Sequence, residues 1–482
     1  MMKITKSTGF TESEHRLARL AEKVFMGLWS YPNPKWNTTP GPKELCDLLV
    51  VCGNNVLIFS DKNIKFNPNI DLATAWSRWE RNAILNSIKQ LRHAENIIRD
   101  NPQKILLNDT DKFPITIPDK DKIKIHLICV ANGIKEACIK NRGDSCNGSL
   151  GFSNARNPKL FETHDYDKNK TFVHVFDDYT FPFILNELDT LTDFIRYLDE
   201  KEHLIRSKYI TYAGEEDLLC YYATYFDRRK NKHTFPGLYG TKATDIVFPK
   251  SDWDFVHKTD GYKNKKQANR VSYFWDQFVQ NNSTCTLDGI TIRLSPRDCD
   301  HDMALRYLAM EDRLNRRMLS RYMLDAIKNS PDIITPDTLS AKAFVSMATP
   351  DLLYMLIQAP NHDNRPYEEY HNYRRQLVET FAHCAKAQSV SNGRPINKVI
   401  GIATDPVKHN GGNTTDIVFF EYKQWSDEIQ THWDNVRREM KVFESDILAV
   451  PLGYEPEFPD PKHKGIQFKI GPNDLCPCRS GK

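Results

Sequence analysis

Two short apolar runs separated by a glycine–asparagine pair constrain this chain more than any other segment. In ELCDLLVVCGNNVLIFSDK, residues 44–62, Leu45, Leu48, Leu49, Val50 and Val51 make the first run; Val56, Leu57, Ile58 and Phe59 make the second. Both are short, rich in β-branched residues and apolar at successive positions, as in strands covered on both faces. Gly53-Asn54 predicts a two-residue hairpin turn. With the turn centred there, pairing is antiparallel and Asp47 stands opposite Ser60, with Lys62 on the same face two residues on. Centring on Asn54-Asn55 sets Asp47 opposite Lys62 with the same faces. A three-residue loop instead brings Asp61 beside Asp47. The Gly-Asn pair favours the first register.

Helical signals flank this hairpin. Residues 11–30 predict a helix with Thr11 as N-cap and Glu14 three positions on, as in a capping box. Leu17, Leu20, Ala21, Val24 and Leu28 form its apolar stripe. Residues 73–99 predict a second long helix, with Trp76, Trp79, Ala83, Leu91, Ala94 and Ile98 on its buried side. Strands are expected at KIKIHLICVAN, residues 122–132, and at FVHVF around Val173. The order is helix, hairpin, helix, strand.

A carboxylate and a lysine at the edge of an apolar sheet suit metal-assisted hydrolysis of a phosphodiester. Bound Mg²⁺ polarises the phosphoryl oxygen and lowers the pKa of the attacking water, and it takes one or two carboxylates plus waters. Read blandly, the same two residues form an edge ion pair. With the α-β-β-α-β order around it, the segment resembles the core of the PD-(D/E)xK, or restriction-endonuclease-like, nucleases. The resemblance implies an α/β (α+β) fold. It also implies Mg²⁺ or Mn²⁺ as cofactor and nucleic acid as substrate, DNA before RNA, with a role in bacterial defence against foreign DNA as an analogy. Asp47 matches the family's metal-binding acid and Lys62 its lysine. Ser60 stands where the family has a second acid. The family's first-helix acid falls on Glu14, with Glu22 second, and its helical polar residue on Gln90, beside Lys89. A main-chain carbonyl near Asp61 would assist the metal. Without the resemblance, Glu14 is a capping acid and Gln90 a solvated helix residue. Because of Ser60, the alternative is a non-catalytic interaction or adaptor protein on a degraded nuclease scaffold, binding a protein or nucleic acid.

The chain ends GPNDLCPCRSGK, which resembles the start of the SEC-C motif, a small zinc-binding module found on the translocase motor SecA and on unrelated bacterial proteins. Cys476 and Cys478 match its first ligand pair, and Arg479 replaces a family glycine. The second pair is missing, so these two thiolates make half of a four-ligand Zn²⁺ site. Zinc is expected only if that site is completed, and the tail is expected to contact a protein partner. The resemblance points to a bacterial-type cytosol.

At 482 residues the chain exceeds one typical domain. The expected division is a nuclease-like domain at 1–180, a mixed α/β connecting region at 181–300, a mostly helical domain at 301–465 and the truncated motif at 470–482. With 66 Lys and Arg against 63 Asp and Glu, net charge is +3, so any nucleic-acid surface must be local. Arg313, Arg317 and Arg321 fall on one helical face, with Arg316 adjacent. They are candidates for phosphate contact, although such a row is more often solvated or ion-paired. Cys299-Asp300-His301 and His383-Cys384 lack paired metal-ligand spacing and are read as structural. The eleven cysteines show no framework spacing, which suggests reduced thiols. No apolar run approaches a membrane span, and the first residues lack the apolar stretch of a signal peptide. No internal repeat is visible.

Overall fold

The computed structural model describes residues 3–154, 158–227, 232–235, 245–250, 252–290, 301–330, 340–361, 364–406, 414–444 and 456–459. The chain forms two compact units, residues 1–263 with 283–289, and 264–282 with 290–482. Both mix helix and strand. Among the described residues no helix is long and apolar enough to cross a membrane.

In the first unit α1 spans Glu12–Phe25, and Thr11 caps it by accepting from the Glu14 N–H. Strands β1 (Ser30–Pro32), β2 (Leu48–Cys52) and β3 (Asn55–Asn63) follow. Cys52 pairs with Asn55 and Leu48 with Phe59, so Gly53-Asn54 is the turn, as the first register requires. Gly53 has φ of 61°, a left-handed conformation that glycine adopts without a side-chain clash. A long helix then runs through α2 (Leu72–Glu80), a π turn (Arg81–Leu85) and α3 (Asn86–Asp100). It returns the chain to β4 (Lys124–Asn132), which lies parallel to β3. Next, β5 (Val173–Asp177) lies parallel to β4. The sheet order is β1-β2-β3-β4-β5.

Strand alternation divides the core between two faces. Leu49, Val51, Val56, Ile58, Leu127 and Cys129 share one core with Trp76, Trp79, Ile88, Leu91 and Ala94 of the long helix. On the other face Phe59 meets Phe25 of α1 at 5.9 Å and Phe181 at 6.1 Å between ring centres. Burying each such side chain contributes about 1.5–3 kcal/mol. The expected end of this domain near 180 is not a boundary. Residues 180–187, 191–207 and 215–224 are helices of the same unit.

In the second unit α4 spans Arg313–Lys328, and β6 (Ser340–Val345) pairs antiparallel with β7 (Leu352–Gln358). Helix α5 (Tyr367–Ser391) leads to β8 (Lys398–Thr404), parallel to β7, and β9 (Thr415–Glu421) closes the sheet. Helix predominates among the described elements of 301–465, and a four-stranded sheet, of which only the strand at 415–423 is legible in the sequence, runs through them. Its other strands are short apolar runs that periodicity alone does not separate from buried helix. Val378 of α5 packs directly on the Gly401 backbone, where a Cβ would stand 2.0 Å from Val378 Cγ1.

Helix, antiparallel hairpin, long helix and parallel strand thus recur in the second unit, with no matching sequence pattern. At the corresponding end of the second hairpin, Ser340 faces Gln358, and Ala359, Pro360 and Asn361 follow. The carboxylate and the lysine belong to the first hairpin alone.

Candidate functional site

The hairpin end brings the expected residues together. Asp47 precedes β2; its N–H donates to the Phe59 carbonyl at 3.1 Å, setting it opposite Ser60. Asp47 is buried, and its Oδ2 accepts from the Asp61 N–H and lies 3.5 Å from Lys62 Nζ. Ser60 is fully buried and donates to Gln90 Oε1 at 3.1 Å, which ties β3 to α3. Lys89 and Glu22 are exposed and make no part of this cluster.

Glu14 is both cap and neighbour. It accepts from the Phe10 N–H and from Asn33 Nδ2, each at 2.9 Å, and from the Thr11 hydroxyl at 3.1 Å. Burial pushes its pKa up. Bonds from Phe10, Asn33 and Thr11, with the Lys62 charge, outweigh that and hold the carboxyl below its ordinary value.

Two acids that the spacing argument did not select complete the cluster. Glu44 belongs to a two-residue strand, Lys43–Glu44, whose partner is Lys35–Trp36. Much of Glu44 is exposed, but its carboxyl is turned against Asp47. Burial of that end, a hydrogen bond with Asp47 and the Asp47 and Glu14 charges push its pKa up to about 7. Asp61 points to the α1 face, opposite to Ser60 and Lys62. It is 6% exposed, and Asn132 Nδ2 donates to its Oδ1. Burial pushes its pKa up to about 6; Ser13 and Asn132 relieve this in part, while the Asp47 and Glu14 charges add to it. Three carboxylates, Glu14, Glu44 and Asp47, therefore surround one lysine, with Asp61 behind Asp47 on the other face of the sheet, so the bland ion pair is outnumbered.

The described residues include no group of three or more His, Cys, Asp or Glu side chains placed to hold a metal ion. Mg²⁺ does not require one, because it keeps several of its waters. On the α1 side a cavity of about 240 Å³ lies against Asp61, lined also by Ser13, Arg16, Asn132 and Asp178. Asn132 and Asp178 were not selected from sequence either. The available signal was a polar residue directly after an apolar strand, in LICVAN and VHVFDD.

The arginine row is corrected. Arg313 and Arg317 are buried inside the second unit. Arg313 pairs with Asp276 at 2.9 Å, and Arg317 donates to Asn269 Oδ1 at 3.1 Å and to the Pro456 carbonyl at 2.7 Å. Arg316 also pairs with Asp276, at 2.7 Å. Arg321 is half-buried, and burial with the Arg317 charge lowers its pKa to about 10. Helical spacing was right, but α4 turns this face inward, where guanidinium groups satisfy carbonyls and carboxylates. Cys384 is buried and His383 packs on Trp433 at 4.5 Å. Cys299, Asp300, Cys476, Cys478 and Arg479 lie outside the described residues.

A second polar cluster sits where β7 and β8 end, in the second unit. Arg374, fully buried, pairs with Asp416 at 2.5 Å and Asp405 at 3.4 Å, and His371 Nδ1 meets Asp416 Oδ1 at 2.6 Å. Arg374 is paired on both sides within it, and the cluster ties α5 to β9.

Compared with known proteins, the chain matches no family model, no curated protein and no solved structure.

Proposed function

We propose that the first unit is a metal-dependent nuclease on a restriction-endonuclease-like core, hydrolysing phosphodiester bonds of nucleic acid, with DNA ahead of RNA. One observation carries the reading: Asp47 and Lys62 meet at the hairpin end beside Glu14 and Glu44, with Asp61 behind Asp47, an arrangement that costs stability. Mutually repelling acids of this kind are characteristic of sites built for a cation. Asp47 and Glu44, with Glu14 behind them, would hold Mg²⁺ or Mn²⁺, which supplies Lewis-acid polarisation of the phosphoryl oxygen. Glu44 offers the acid that Ser60 does not. Lys62, about a third exposed, orients the attacking water and offsets charge on the phosphoryl group. Ser60 and Gln90 hold the end of β3 against α3 near the phosphate. A role in defence against foreign DNA, a cytosolic location and a protein partner for the zinc-type tail at Cys476 and Cys478 belong to the same proposal by analogy.

The test is cleavage of single- and double-stranded DNA and RNA with Mg²⁺ or Mn²⁺ by the wild type, Asp47→Ala, Lys62→Ala and Glu44→Gln. Loss of metal-dependent cleavage in the first two is expected. If all four proteins are equally active, or all inert, the nuclease reading fails. Ser60 in the place of an acid favours a second reading, a binding scaffold without catalysis. That reading predicts nucleic-acid or protein binding indifferent to Mg²⁺ and to Asp47→Ala.

A further inference from the structure

One residue beside the hairpin end holds a backbone conformation that its neighbours oppose. Asn33 has φ of 48° and is 2% exposed. It lies between Pro32 and Pro34, and the residue before a proline favours extended backbone. Asparagine enters the left-handed region more readily than other residues with a side chain, yet doing so still costs free energy. Such strain persists only where surrounding contacts over-determine it, and it concentrates at functional sites.

The contacts that hold Asn33 come from three segments. Pro32 pairs with Leu48, so Asn33 stands beside Asp47, and its N–H donates to the Asp47 carbonyl at 3.0 Å. Its Nδ2 donates to Glu14 Oε2 at 2.9 Å, and its Oδ1 accepts from the Ser7 hydroxyl at 3.1 Å. A carboxylate only accepts, so the amide must present Nδ2 to Glu14 and Oδ1 to Ser7. Ser7 is itself anchored through its neighbour: the Lys6 ammonium donates to the Ser30 carbonyl at 3.0 Å and lies 4.3 Å from the centre of the Tyr31 ring. Of the three donors to Glu14, Phe10 and Thr11 belong to its own helix start, whereas Asn33 connects it to the sheet. A turn alone needs only the left-handed backbone, which glycine supplies without strain. It does not call for an amide whose two ends reach Ser7 and Glu14.

We propose that Asn33 is a positioning residue: it ties the Glu14 carboxylate to the main chain that carries Asp47, so that both acids are aimed at one divalent cation before the ion arrives. The inference rests on the metal site of the proposed nuclease and names what pre-organises it. Asn33 acts through Glu14 and not by touching metal or substrate. Removing a group that orients a metal ligand in this way weakens metal binding by about ten- to a hundred-fold.

Asn33→Gly separates the two roles, because it keeps the left-handed backbone and the N–H to Asp47 and removes only the amide. Mn²⁺ alone, followed by calorimetry and electron paramagnetic resonance on the full chain, is expected to bind it about ten-fold or more weakly than the wild type. Circular dichroism in metal-free buffer reports whether the variant folds. In a Glu14→Ala background the same replacement should change affinity by less than about two-fold, because Asn33 then has no acid to aim. Ser7→Ala leaves Asn33 in place but frees its Oδ1, and should weaken binding about three-fold. Wild-type affinity in a folded Asn33→Gly, or in Ser7→Ala should the glycine variant not fold, overturns the inference. So does a second full loss in the double variant. If the wild type binds no Mn²⁺, the metal site falls and the positioning role falls with it. If binding depends on Asn33 but no protein cleaves nucleic acid, the positioning role stands and the nuclease reading falls.

Discussion

Replacing Asp47 by Asn separates a ligand site from an ion pair by stability alone. In an ordinary buried pair, removing one charge costs about 3–5 kcal/mol, because the other is left uncompensated. Here the ledger differs. Asn keeps an acceptor for the Asp61 N–H, so the loss is that between a charge-assisted and a neutral hydrogen bond, about 1 kcal/mol. Lys62 is a third exposed and 3.5 Å away, so losing that contact costs under about 1 kcal/mol. On the other side, Asp61 has its carboxyl pushed from 3.8 to about 6. That is about 3 kcal/mol of unfavourable surroundings at about 1.4 kcal/mol for each tenfold. Burial is the largest part, and the Asp47 charge accounts for about 1 kcal/mol. Glu44, freed from its neighbour, regains some ionisation as well. The net change expected for Asp47→Asn at pH 7.5 lies within about 1 kcal/mol of zero. Urea denaturation of both proteins in metal-free buffer, followed by circular dichroism and tryptophan fluorescence, measures it. Destabilisation of about 3 kcal/mol or more would refute the view that these carboxylates repel one another, and would return Asp47 and Lys62 to the status of a structural pair.

Other perturbations read other parts of the fold. Trp79 Nε1 donates to the Ile64 carbonyl at 2.8 Å from a buried ring stacked on Trp76, so Trp79→Phe should cost about 3 kcal/mol in urea denaturation; a loss under about 1 kcal/mol would mean that carbonyl finds another donor. Arg374→Met strands Asp405 and Asp416 and should destabilise the second unit by about 3–5 kcal/mol, with a neutral result ruling out the buried network as a support. Burial raises Glu216 to about 8 and Glu311 to about 7. Carboxyls raised on folding contribute stability present below their unfolded pKa and lost as pH climbs through the folded value. The melting temperature should therefore fall between about pH 5 and 9, and Glu216→Gln with Glu311→Gln should flatten that fall; an unchanged slope would contradict the assignment.

What the sequence disclosed was local. The hairpin register followed from two glycine–asparagine residues between apolar runs, and Glu14, Asp47, Ser60, Lys62 and Gln90 came together because strand alternation and helix order are short-range rules. Glu44 escaped because it sits on a separate two-residue strand, placed beside Asp47 by pairing with residues 35–36 rather than by any period. Asn132 reaches Asp61, and Asp178 the cavity beside it, only through parallel pairing over long separations, which no local pattern reports. The arginine row failed for a related reason: spacing along a helix tells which residues share a face, not whether that face looks outward. The second unit's hairpin, crossover helix and parallel strand copy the order of the first with different residues, so the repeat exists in topology alone.

The π turn at Arg81–Leu85 gives the long helix one residue of slack. A regular helix advances about 100° per residue, so a deletion ordinarily rotates everything beyond it by that angle relative to everything before. Such a rotation would carry Gln90 away from Ser60, or Trp79 away from Ile64. Inside the π turn the same deletion merely tightens the wide turn to an ordinary one and leaves both ends facing as they did. The helix thus has a single place where its length can drift during descent without disturbing either anchor.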